Sequence, residues 1–138
     1  MEGRWSHDLA GAPVAIEDWP AEVSIILSAL EAAGCEMPER RESKRMRWRV
    51  RGHLRLYTDG PDSLPWVLYT RDASPRSLGF ISPHRLPLGY GGTVELMLPE
   101  GRVAEIPCTI LRCREAVPGW CDGSLYFNRE QWCFEVEQ

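Results

Sequence analysis

The sequence predicts a mainly β domain, an antiparallel barrel or sandwich, preceded by one helix. Three observations predict it. From residue 46 onward apolar and polar residues alternate at a period of two. Short runs of this kind recur, separated by turns rich in Gly and Pro. Ahead of them stands one stretch with apolar residues at helical spacing. A chain of 138 residues, 43% hydrophobic and 26% charged, fits one folded domain with its own core. We divide it into an N-terminal extension, residues 1–37, and a β domain, residues 38–138.

Residues 1–16 hold Gly and Pro and no sustained period, and they read as a loose segment. A helix is expected at about 19–33. Asp18 serves as its cap, Pro20 fits the first turn and Glu22 complements the dipole. Val23, Ile26, Leu27, Leu30 and Ala33 form its apolar stripe, and Gly34 ends it. That stripe needs a partner, first the β domain and second another copy of the chain.

The first strand begins at residue 46. Trp48, Val50, Gly52, Leu54 and Leu56 share one parity, and Arg45, Arg47, Arg49, Arg51 and Arg55 share the other. Gly52 marks an expected bulge or bend. Further strands are expected at 66–72, 78–82, 94–98, 106–110 and 120–127. A last one is expected at 131–137, with Trp132, Phe134 and Val136 on one face. Trp48, Trp66, Trp120 and Trp132 lie on these patterns and are expected in the core. Trp5 and Trp19 are expected to pack the helix onto the barrel.

The net charge of −4 hides an asymmetry. Residues 1–39 carry eight acids against Arg4, whereas residues 40–51 carry seven bases against Glu42. A local basic cluster in an acidic protein points to an anionic ligand read at one place. Fifteen of the sixteen bases are Arg, whose planar fork suits phosphates and base edges. No 18-residue apolar span is present, and the N-terminus lacks a basic region followed by an apolar run. Five cysteines is an odd number in a chain that needs no disulfide staples. A cytoplasmic location is therefore expected.

Enzyme signatures are missing: no Walker A loop, no HExxH, no GxSxG and no dinucleotide-binding GxGxxG. His7, His53 and His84 lie apart. Cys108 and Cys113 are five residues apart, which on a regular strand sets their thiols on opposite faces. No metal and no cofactor is expected, and no catalysis.

The informative constellation is Arg-x-x-x-Arg at Arg41 and Arg45, followed by the loop Asp72-Ala73-Ser74-Pro75-Arg76-Ser77 between two strands. In order and placement these residues resemble the PilZ domain family over residues 40 to about 128, with LGFIS, YGGTVELMLP and GSLYFN similar to its strands. The resemblance implies a six-stranded antiparallel β-barrel, a bacterial protein and a receptor for cyclic di-GMP. It also implies that Arg41, Arg45, Asp72 and Ser74 contact the ligand. Arg40 is an adjacent candidate. Ser77 stands where the family has Gly, a position that in a left-handed turn would cost a serine roughly 1–2 kcal/mol.

The residue chemistry suits that ligand independently. An Arg fork matches O6 and N7 of guanine, and its other donors reach phosphates. Asp72 can accept from a guanine Watson–Crick edge, and Ser74 can donate or accept. Ligand is expected to order residues 38–46 against the barrel, with signalling through an unknown protein partner. The alternative is a PilZ-like interaction module that Ser77 has made blind to cyclic di-GMP. A single-stranded nucleic-acid binder is disfavoured, because the aromatics of the basic strand sit at the opposite parity from its arginines.

Overall fold

The chain alternates apolar and polar residues because each strand lies on a barrel, one side turned to a common core and the other to solvent. A computed structural model describes residues 20–34 and 45–135. In it α1 (Ala21–Gly34) precedes β1 (Met46–Arg47), β2 (Arg51–Leu56), β3 (Trp66–Ala73), β4 (Ser77–Ser82), β5 (Gly91–Met97), β6 (Val103–Val117) and β7 (Trp120–Phe127). Every strand pair is antiparallel. The strand order β3-β2-β5-β6-β7-β4 closes on itself through β3–β4, giving a six-stranded barrel to which β1 adds a short extension.

Val50, Leu54, Leu56, Leu68, Leu78, Phe80, Val94, Leu96, Ile106, Ile110, Leu125 and Phe127 fill its interior. Full burial of each such side chain contributes about 1.5–3 kcal/mol. The arginine parity of the first strand does face outward. The strand itself is broken into β1 and β2 at Trp48–Val50. There Thr70 Oγ1 donates to the Trp48 carbonyl and accepts from the Val50 amide at 2.7 Å. Gly52 is not the irregular position expected. It pairs with Leu68 in regular register, and the bulge lies opposite β4, between Thr70 and Asp72 of β3.

Helix α1 lies on the outer face of the barrel. Val23, Ile26 and Leu27 pack on Tyr69 and Ile81, flanked by Val67 and Trp120. Trp120 Nε1 donates to Glu22 Oε2 at 2.8 Å, tying the first helical turn to β7. The helix stripe therefore has its partner within the chain. Asp18, Trp5 and Trp19 lie outside the described residues.

Two expectations are corrected. The last strand does not form: Trp132–Phe134 is a 3₁₀ turn, and Val136 lies outside the described residues. The six strands β2–β7 close the barrel through β3–β4 without it. The turn sends Phe134 into the barrel end, stacked on Phe127 at 5.9 Å, and leaves Trp132 60% exposed instead of in the core. Cys108 and Cys113, expected on opposite faces, are both buried inside, because a bulge between Ile110 and Arg112 inserts one residue and resets the facing. Burial pushes the Cys108 thiol up to about 12, and burial also raises Cys121 and Cys133. Burial thus favours the protonated thiol at all three. Among the described residues no group of three potential ligands is placed to hold a metal, and no helix is long and apolar enough to cross a membrane.

Candidate functional site

Residues far apart in sequence meet on the outer face where β1, β3 and β4 come together. The register Arg47↔Asp72 and Asp72↔Gly79 sets the start of the first strand beside the loop that follows β3. Arg45, just ahead of β1, lies against that loop. Its Nε donates to Asp72 Oδ1 at 2.8 Å, its Nη2 lies 2.6 Å from the same oxygen, and its Nη1 donates to Ser77 Oγ. The side chain is only 10% exposed, so these are well-shielded, charge-assisted bonds that fix the guanidinium in one orientation. Nε and Nη2 face Asp72, and Nη1 faces Ser77.

The β3 bulge puts Arg71 and Asp72 on the same side of the strand. Asp72 Oδ2 lies 3.4 Å from Arg71 Nε. Arg71 then reaches across β4 to β7, where its Nη1 donates to Asp122 Oδ1 at 2.8 Å. Asp122 is nearly buried, and its other oxygen lies 3.8 Å from Arg112 Nη2 on β6. The result is an alternating chain, Arg45–Asp72–Arg71–Asp122–Arg112, crossing the outer faces of β3, β4, β7 and β6. Gly79 makes the crossing possible. A Cβ at that position would stand 2.6 Å from Asp72 Oδ1 and 3.0 Å from Arg71 Nη2.

Ser74 and Ser77 take different parts. Ser74 is buried, and its Oγ accepts the backbone N–H groups of Arg76 at 3.3 Å and Ser77 at 3.2 Å. The Ser74 amide donates back to the Ser77 carbonyl at 2.9 Å. Ser74 thus closes its own tight turn, a frequent use of serine in loops. Ser77 does not adopt a left-handed conformation, since no non-glycine residue among those described has positive φ. The backbone penalty considered for a serine there does not arise. Its hydroxyl instead accepts from Arg45.

Of the six residues predicted from sequence, Arg45, Asp72, Ser74 and Ser77 come together here, and Arg40 and Arg41 lie outside the described residues. Asp72 is engaged by two arginines and so acts first as the holder of Arg45. Arg71, Asp122, Arg112 and Gly79 escaped sequence reasoning. One signal for Asp122 was available: it shares the outward parity of Trp120, Ser124 and Tyr126 on β7.

A hollow of about 470 Å³ lies on the β2, β5 and β6 side of the barrel, lined by residues that include His53, Arg55, Tyr57, Thr93, Glu95 and Glu105, and it shares no residue with the arginine cluster. The cluster can form directed hydrogen bonds to an anion spread along the barrel surface. In comparisons with known proteins, no family model and no curated sequence matches the chain.

Proposed function

We propose that the chain is a non-enzymatic receptor for cyclic di-GMP, acting in a bacterial cytoplasm through a protein partner and built as the PilZ resemblance implies. The observation that carries the reading is the fixed fork of Arg45, held in one orientation by Asp72 and Ser77. A fork oriented in advance loses little entropy on binding, which favours recognition of phosphate or of guanine O6 and N7. Asp72 and Ser77 come from the loop that the resemblance assigns to the ligand. Their contact with Arg45 brings the second arginine of the Arg-x-x-x-Arg run to that loop. Arg71, Arg76 and Arg112 stand nearby, paired with Asp72, Asp122 and Glu130.

Isothermal titration of residues 1–138 tests the reading, with cyclic di-GMP as ligand and GTP as control. Saturable binding of cyclic di-GMP is expected, none with GTP, and loss of binding in Arg41→Ala/Arg45→Ala. An absence of heat together with an unchanged melting temperature would refute it.

A second reading has one observation in its favour. Asp72 and Ser77 already satisfy much of Arg45, as they would in an interaction module that binds a protein and no longer takes the nucleotide. Nucleic-acid polymers remain disfavoured, since the arginines are drawn into ion pairs with Asp72 and Asp122 instead of lining an open groove.

A further inference from the structure

The β4–β7 register sets Ser77 directly opposite Tyr126 and Gly79 opposite Ser124, and the β6–β7 register sets Ser124 opposite Arg112. Side chains two apart on a strand share a face, so Tyr126, Ser124 and Asp122 stand in line on the outer side of β7. Ser124 is the low point of this surface. Gly79 has no side chain, and the neighbours on the other three sides are Tyr126, Asp122 and Arg112. Among the described residues the Ser124 hydroxyl makes no hydrogen bond.

Tyr126 is 37% exposed, in contrast to the apolar residues on the inner side of β7. Its hydroxyl accepts from Arg76 Nη1 at 3.5 Å, and Arg76 Nη2 pairs with Glu130 at 2.6 Å. The phenol is tethered at its tip while part of the ring meets solvent. Adjacent strands lie about 4.8 Å apart, so the ring stands one strand away from the Ser77 that holds Arg45. An exposed ring beside a low floor, flanked by Arg76 and Arg112, offers what a purine next to a phosphate requires: a flat apolar face and nearby cations.

We propose that Tyr126 is a stacking platform for a purine base of the bound ligand, and that the base lies over Ser124 while Arg45 holds the adjoining phosphate. This assignment rests on the cyclic di-GMP reading above and extends its site from β3 and β4 onto β7. It also makes the site selective for aromatic bases, which an anion-binding arginine alone is not.

The test uses the full chain with Tyr126→Phe and Tyr126→Leu. Leucine keeps apolar bulk on the strand and removes the aromatic face. Two titrations are compared: calorimetry with cyclic di-GMP, and fluorescence of a cyclic dinucleotide carrying 2-aminopurine in place of one guanine. The Phe variant is expected to bind within about two-fold of wild type and to quench the probe equally. The Leu variant is expected to bind roughly ten-fold or more weakly and to lose the quenching, since base–aromatic stacking is worth a factor of that order. Unchanged affinity and quenching in a folded Leu variant, with wild type still binding, would overturn the platform and leave the receptor reading intact. No binding by wild type to either ligand would overturn both.

Discussion

The outer faces of β3, β4 and β7 carry two unlike regions on the same three strands. At one end Val67, Tyr69, Ile81 and Trp120 present an apolar surface, and α1 covers it with Val23, Ile26 and Leu27. At the other end Arg71, Asp72, Gly79, Asp122, Ser124 and Tyr126 present charge, small residues and one aromatic ring, and α1 does not cover it. The backbone is alike in both. The difference lies in what each set of side chains requires of its neighbour. Apolar residues are stabilised by permanent removal from water, so a helix of the same chain suits them. Paired charges carry a desolvation cost under a permanent cover, and they stay useful only where a polar ligand can reach them.

The largest expected effect lies at the covered end. Leu27 is fully buried between helix and barrel. Leu27→Ala is expected to lower stability by about 2–3 kcal/mol, near the low end for core leucines because a helix on an outer face can settle into the gap. For a chain of this size that is a fall in melting temperature of roughly 10 °C. Affinity for cyclic di-GMP, measured below the new transition, should stay within about two-fold of wild type. A large loss of affinity would mean that the two ends are coupled through the sheet.

Next comes the joint between the regions. Asp122 opposes Ile81 in register, yet it belongs electrically to the arginine chain. Asp122→Ala strands Arg71 in a poorly solvated place, at a cost of about 2 kcal/mol. This is less than the loss of a partner in a fully buried pair, because Asp72 remains beside it. Thermal melts of Asp122→Ala, Arg71→Met and the double variant should show the double losing clearly less than the two singles added. Additive losses would remove the strap across β4 as an energetic unit.

This contrast explains what was legible in the sequence. The barrel strands could be read because period-two patterns report burial directly, and Val23, Ile26 and Leu27 could be read because a helical stripe does the same. Arg45, Asp72 and Ser77 could be placed at one site through the family resemblance and the logic of a ligand fork. Arg71 and Cys113 were misplaced or missed for one shared reason: a bulge shifts the facing of everything beyond it, and neither bulge carries a Gly or Pro marker. Trp132 and Phe134 alternate as strand residues would, but the barrel closes through β3 and β4 without them, and closure is a property of the whole barrel.

Gly79 separates fold from site more sharply. In Gly79→Ala the new Cβ would meet the Asp72 carboxylate and the Arg71 guanidinium, both ends of flexible side chains. Those side chains can move aside, so the melting temperature should fall by no more than about 4 °C, the equivalent of roughly 1 kcal/mol. Moving them disturbs the holder of Arg45, and affinity for cyclic di-GMP should fall about ten-fold. Calorimetry and a melt on the same preparation check both halves. A large stability loss would show that the arginine strap supports the barrel as much as the site.

The smallest effect is expected at Ser77, and its sign is the informative part. If the serine holds Arg45 ready for ligand, removing the hydroxyl costs one charge-assisted hydrogen bond. Both Ser77→Ala and Ser77→Gly then bind cyclic di-GMP about five-fold more weakly, equivalent to about 1 kcal/mol. If the serine instead occupies space and a donor that the ligand needs, as in the interaction-module reading, Ser77→Gly restores the residue usual in the resembling family and binds more tightly than wild type. Ser77→Ala then falls between the two. Ser77 shows no positive φ in β4, so glycine relieves no backbone strain there. A gain in affinity would therefore have to come from freeing Arg45 or from room for the ligand, and a loss from the missing hydroxyl. Titration of the two variants beside wild type decides which part the serine plays.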